Sequence, residues 1–240
     1  MTHLLAMLLT CTACMAQADE QTEVFVEANL LSIFYHELGH AIIDVAQLPD
    51  FGQEEDAADT ASILLIDAIF DNETAIDIAY DAALGFALEA EAAEDVVTWS
   101  DVHGPDLQRF YNLVCLFYGA DPDTRDDFAA DMNLPEDRLA SCPEEFDLAN
   151  DSWGPVFDEL AAQNGATSLR YTTPDDASVT ARVVSAEVTA LNGIFQLPTP
   201  ITVAVEPCGE ANAFYDPETR TITMCTEFET HLCEIALIAD

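Results

Sequence analysis

Tyr35-His36-Glu37-Leu38-Gly39-His40 lies in an apolar run whose hydrophobic residues recur at helical spacing, at Leu30, Ile33, Phe34, Leu38, Ala41, Ile42 and Val45. On a helix, His36 and His40 project from one face about one turn apart. Two neutral imidazoles so placed can bind one Zn²⁺, with Glu37 beside them to take a proton from a water at the metal. The plainer reading of the same residues is an amphipathic helix with two partly buried histidines.

A catalytic zinc takes three protein ligands and keeps a fourth position open. The third ligand is sought in the acidic run Gln53-Glu54-Glu55-Asp56, which opens the next predicted helix and suits a helix N-terminus electrostatically. Glu55 and Asp59 are four apart and share a face. Glu55 is assigned to the metal and Asp59 to a hydrogen bond that fixes the tautomer of His36. Glu54 and Asp56 are assigned to the surface. The reverse order, Asp59 on the metal and Glu55 outside it, is the alternative.

Around this centre the chain reads as helices at 24–45, from 53 to about 70, 73–91 and 105–118, with two or three more in 123–163. Residues 94–104 form a loop holding Trp99 and His103, and Pro105 opens the helix that follows. The character changes near Gly165. Strands are expected at 167–172 and 201–206, separated by a helix at 178–191. Strands at 212–215 and 220–225 flank the turn Asp216-Pro217-Glu218-Thr219, and a helix at 227–238 ends the chain. This predicts an α+β fold, mainly helical, with a small antiparallel or mixed sheet from the C-terminal third. The polar 164–177 stretch divides a helical zinc-binding region, 19–163, from a sheet-and-helix part, 164–240, that packs on the same catalytic domain.

Half of the 240 residues are hydrophobic, enough for a substantial core. Against 46 acidic residues there are 6 arginines and no lysine, a net charge of −40. That balance speaks against a nucleic-acid partner and against anionic membrane surfaces, and fits a solvated acidic coat in salty surroundings. Residues 1–18 carry no charged side chain, and Ala16-Gln17-Ala18 before Asp19 resembles a signal-peptidase site. Export is therefore expected, to a periplasmic or secreted location, with a lipoprotein anchored through Cys14 as the alternative. No other run is long enough to span a bilayer. Cysteine usage agrees with export: Cys115 and Cys142 lie in adjacent predicted helices, and Cys208 and Cys225 flank a predicted hairpin, so these are the expected disulfides. Cys233 is left as a buried free thiol.

HELGH followed by a Glu-x-x-x-Asp helix resembles the gluzincin metallopeptidases. The longer stretch HELGHAIIDVAQLPDFGQEEDAAD, with QRFYNLVCLFYG and CPEEF, resembles a bacterial metallopeptidase family known as a domain of unknown function. More distantly, the chain is similar to the CAAX prenyl and heat-shock zinc proteases and their soluble relatives. In those a His followed six residues later by an Arg supports the transition state, usually as THP…R. His103 and Arg109 have that spacing here, with Val102 in place of the Thr and Gly104 inserted before Pro105. The same relatives carry an NAFxxP edge strand before the HExxH helix. Here Asn212-Ala213-Phe214-Tyr215-Asp216-Pro217 stands near the other end of the chain. The resemblance therefore implies a zincin-like fold in circularly permuted order, one Zn²⁺ per chain, and His103, Arg109 and Asn212 beside the reacting carbonyl.

Two function classes follow. One is an exported zinc-dependent endopeptidase acting on peptides or proteins with Glu37 as general base; cationic or apolar peptides suit the acidic chain better than anionic ones. The other is a non-catalytic, zinc-containing exported binding module, which has no need of Glu37. A cation-buffering surface protein is disfavoured because no D-x-D-x-D-G loop is present.

Overall fold

The helix that carries HELGH links the helical part of the fold to the sheet. The computed structural model describes Cys14 and residues 20–49, 51–93, 96–161, 167–173 and 177–238; the expected cleavage site after Ala18 and the boundary at Gly165 lie outside them. Helix α1, Glu20–Val45, buries residues on nearly every side, from Phe25 and Val26 to Ala41 and Ile42. Such a helix belongs inside a core rather than on a surface. It is the centre of the hydrophobic cluster that runs through the whole fold.

Helix α2, Glu54–Ile69, returns along α1, and α3, Asn72–Ala92, follows after a short turn capped by Asp71. Close approach of α1 and α2 rests on Gly39, where a Cβ would stand 3.0 Å from the Cα of Ala58. Ser62 on α2 donates to the carbonyl of Ser32 on α1 at 3.0 Å, which fixes the register of the pair. Helix α4, Asp106–Ala120, packs on α2 and α3. The short α5, Asp126–Asp131, and α6, Glu136–Leu139, lead to α7, Cys142–Leu160. Helices α4 and α7 are joined by the disulfide Cys115–Cys142. At Gly119 a Cβ would meet the Cys142 carbonyl at 2.3 Å, so only glycine fits that crossing.

The C-terminal part supplies strands β1, Leu169–Tyr171, β2, Ile201–Glu206, β3, Ala213–Asp216, and β4, Thr221–Cys225. They form one mixed sheet in the order β1-β2-β4-β3, parallel except for the β3–β4 hairpin. The expected turn is there: Asp216 accepts from the Glu218 amide at 2.8 Å and from the Thr219 hydroxyl at 2.8 Å. Between β1 and β2 the chain crosses over through α8, Val179–Ile194, which packs on both strands, as a parallel pair requires. Strands β3 and β4 lie against α1. Tyr215 on β3 donates to Asp44 on α1 at 2.7 Å, and Tyr35 on α1 donates to Glu187 on α8 at 2.6 Å. The last helix, α9, Glu227–Ala236, also packs on α1. The fold is α+β and mainly helical, with the small sheet where the sequence places it. No helix among the described residues is long and apolar enough to cross a membrane.

Three disulfides are formed among the described residues, which fits an oxidising compartment. Cys115–Cys142 and Cys208–Cys225 pair as expected. Cys233 corrects the reading: it is bonded to Cys14, 219 residues away, and is not a free thiol. A leader-like composition hid Cys14 as a candidate partner. The sulfur that a lipid anchor would use is in that bond, and cleavage after Ala18 would leave Cys233 without it.

Candidate metal centre

The four-residue spacing in α1 brings the two imidazoles together, with Nε2 of His36 and Nε2 of His40 at 3.2 Å. The first turn of α2 lies opposite because Gly39 lets the helices close. Glu55 Oε2 is 3.3 Å from His36 Nε2 and 3.1 Å from His40 Nε2. One donor atom from each of the three residues lies within 4.8 Å of the others, so the group can hold a metal ion. Two imidazoles and a carboxylate form a donor set suited to a borderline-soft divalent cation.

The outer ring nitrogens are held as metal-binding histidines require. His36 Nδ1 is 2.7 Å from Asp59 Oδ1. Asp59 is gripped in turn by Arg109, whose Nε donates to Oδ2 at 2.8 Å and Nη2 to Oδ1 at 2.7 Å. The guanidinium also sits 4.4 Å from the centre of the Phe86 ring. Both oxygens of Asp59 are thus engaged by Arg109 and by the outer nitrogen of His36, while Glu55 faces the two Nε2 atoms. His40 Nδ1 is 2.8 Å from Glu54 Oε1. This departs from the reading of Glu54 as surface coat. The sequence signal was present: two ligand histidines need two outer partners, and Asp59 can serve only one. Asp56, also assigned to the surface, lines the adjoining cavity.

His103 comes to the centre from the loop before α4, its Nε2 2.9 Å from Glu55 Oε2. Asp101, which the sequence reading passed over, accepts from the His103 amide at 3.0 Å and so shapes that loop. Arg109 arrives as well, but its fork on Asp59 places it behind His36 rather than free beside a reacting carbonyl. Asn212, just before the edge strand β3, lines the cavity that His36 and Glu37 also line. Its side-chain oxygen accepts from the Ala213 amide at 2.9 Å, leaving the amide nitrogen as the group it can offer.

Electrostatics follow from this packing. Burial pushes the Glu37 carboxyl above the usual carboxylate range, against the pull of His36 and His40. Burial alone would lower His36, but its bonds to Asp59 and Glu55 outweigh it and raise the imidazole to about 9. Glu55 is held well below the carboxylate range by hydrogen bonds from His103, His36 and His40. Asp59, which burial would raise, is held low by Arg109 and His36. The centre therefore holds two carboxylates, Glu55 and Asp59, low against their nitrogen partners, beside one buried carboxyl, Glu37, that burial raises.

A family model matches residues 4–156 and 167–236 of this chain. The chain belongs to DUF4344. That family carries the description "Putative metallopeptidase", and the match takes in every residue of the centre. No curated protein and no solved structure matches the chain. A DUF4344 assignment implies peptide substrates, and the grouping of His36, His40 and Glu55 is the part of this DUF4344 protein where a metal could act.

Proposed function

We propose that the chain is an exported zinc-dependent endopeptidase, with His36, His40 and Glu55 as ligands and Glu37 as general base. The observation that carries this reading is the meeting of Glu55 Oε2 with both imidazole Nε2 atoms, at 3.3 and 3.1 Å, close enough to Glu37 for all three to act on its carboxyl. A zinc ion there would supply Lewis acidity, lowering the pKa of a water and polarising the substrate carbonyl.

The chain's own groups do the rest. Glu37, whose burial raises its affinity for a proton, takes the proton of the attacking water as a carboxylate and delivers it to the leaving nitrogen as the C–N bond breaks. His103, raised above its ordinary pKa by its bond to Glu55, donates toward the developing oxyanion, joined by the Asn212 amide. Asp59 and Arg109 act as positioning residues that hold the His36 ring. The free side of β3, an edge strand in the sheet order, accepts an extended peptide as an added strand. A sheet that follows the HExxH helix in sequence, yet packs on it, is read as a circularly permuted zincin order.

Metal analysis of the purified chain tests this, beside His36→Ala and Glu37→Gln. About one zinc per chain is expected in the wild type and in Glu37→Gln, and none in His36→Ala. Peptide hydrolysis should fall at least a thousandfold in Glu37→Gln. Full zinc with no hydrolysis by the wild type would favour the binding-module class instead.

A further inference from the structure

The cavity of about 580 Å³ beside the centre continues along one stripe of α1, lined by Asn29, Ser32, Ile33, His36 and Glu37. Asn29 lies seven residues before His36, about 10 Å away along the helix axis. The walls between carry Phe86, Leu113 and Leu232. Such a channel suits a long side chain, and its polar atoms decide which kind.

Asn29 is only 5 % exposed. Its Nδ2 donates to the carbonyls of Phe25 and Asp81, both at 2.9 Å, which fixes the orientation of the amide. That leaves Oδ1 open to the cavity, with no hydrogen bond from a described residue. Gly85 makes its room: a Cβ there would stand 2.0 Å from this oxygen. An acceptor that opens on a cavity takes its donor from whatever fills it, water or ligand. Glu89 and Asp106 line the same space. One Glu89 oxygen is 2.6 Å from His231 Nε2, leaving the other for a ligand. Arg109 is the only Lys or Arg in the lining among the described residues, and it is engaged by Asp59.

We propose that this cavity is the specificity pocket of the centre and takes the side chain of a lysine or arginine next to the cleaved bond. The stem lies along Phe86 and Leu113, and the cation is held by acceptors that include Asn29 Oδ1 and Glu89. An aliphatic side chain fits the walls but leaves Asn29 Oδ1 without a donor. An acidic one meets Glu89 and Asp106 with like charge and equally leaves Asn29 Oδ1 without a donor. The place of the pocket next to a cleaved bond rests on the peptidase reading, whereas the binding preference does not. The acidic coat attracts any basic peptide, so dependence on Asn29 and Glu89 is what marks the pocket.

Calorimetry on the full chain carrying Glu37→Gln, with zinc and in 1 M NaCl to suppress steering, tests it (~3 Å screening length). The probes are peptides Ala-Ala-Ala-X-Ala-Ala, with X as lysine, norleucine or glutamate. The lysine peptide should bind at least tenfold more tightly than the norleucine one, and the glutamate peptide most weakly. Adding Asn29→Leu, or Glu89→Gln, should cut the lysine advantage below threefold; Glu89→Gln keeps the side-chain volume and reports even if Asn29→Leu does not fold. Equal binding of lysine and norleucine overturns the proposal, as does a lysine advantage that survives Glu89→Gln, which would belong to surface charge. Incubation of the wild type with the same peptides separates the two readings. Cuts beside lysine support both, while selective binding without any cleavage keeps the pocket and removes the peptidase.

Discussion

The Cα of Ala58 lies 3.0 Å from where a Cβ on Gly39 would stand, and this contact sets how closely Glu55 approaches His36 and His40. The glycine inside HELGH is thus a spacing device between the helix that carries His36 and His40 and the one that carries Glu55. Replacement by alanine gains about 1 kcal/mol of helix propensity, which offsets much of a few tenths of an ångström of displacement. Gly39→Val has no such compensation: overpacking there should cost about 1–3 kcal/mol and move α2 outward. We expect Gly39→Ala to keep near-native stability and Gly39→Val to lose at least tenfold in zinc affinity, measured by chelator competition alongside thermal unfolding. Equal zinc affinity in the two variants would show that the helix spacing is not what assembles the centre.

Arg109 and Asp59 make a two-pronged ion pair behind His36, and both side chains are mostly covered. Removing the cation leaves a buried carboxylate uncompensated, at a cost of about 3–5 kcal/mol. Arg109→Met should therefore lower the unfolding midpoint and weaken zinc binding about 10–100-fold, the usual range for lost outer partners. Arg109→Lys restores charge without the fork and should recover stability only in part. Full recovery by lysine would mean that charge alone, not geometry, holds Asp59.

The sequence made the helices, the hairpin and two disulfides readable because each depends on local periodicity or short separation. The positions of His36, Glu37 and His40 followed from one spacing rule. The roles of Glu55 and Asp59 needed the register of α1 against α2, which is set by Gly39 and Ser62 and has no local signature. Glu54 was missed because an acidic residue among 46 looks like coat. Cys14–Cys233 was missed because its partners stand 219 residues apart. The resemblance places Arg109 beside the substrate; its fork on Asp59 depends on α4 lying across α2, a tertiary fact.

Asp81 offers a pH test away from the centre. Burial, and then Asp77, raises its carboxyl from 3.8 to about 6. The folded state therefore holds the proton more tightly than the unfolded chain, so this contribution to stability is full below about pH 3.8 and is lost as pH rises through 6. Asp81→Asn removes the dependence while keeping the backbone carbonyl that Asn29 uses. Relative to wild type, the variant should gain about 1 kcal/mol between pH 4 and pH 7.5 once solvent screening at this partly exposed site is allowed for. Urea melts at the two pH values measure the difference, and an unchanged gap would refute the assignment.

Glu54 and Asp59 hold the outer nitrogens of His40 and His36, but they differ in cover: the side chain of Glu54 is 47 % exposed and that of Asp59 is 20 % exposed. Water can replace an exposed acceptor at little cost, and it cannot reach a covered one as easily. Glu54→Ala should therefore weaken zinc binding less than tenfold, and Asp59→Ala by about 10–100-fold. Asp59→Ala should also destabilise the fold, because Arg109 is left buried beside Phe86 without its anion. Chelator competition and thermal unfolding on both variants separate the effects. A larger zinc loss from Glu54→Ala than from Asp59→Ala would mean that Glu54, on the turn that carries Glu55, moves inward to the metal and that the ligand set is wrongly drawn.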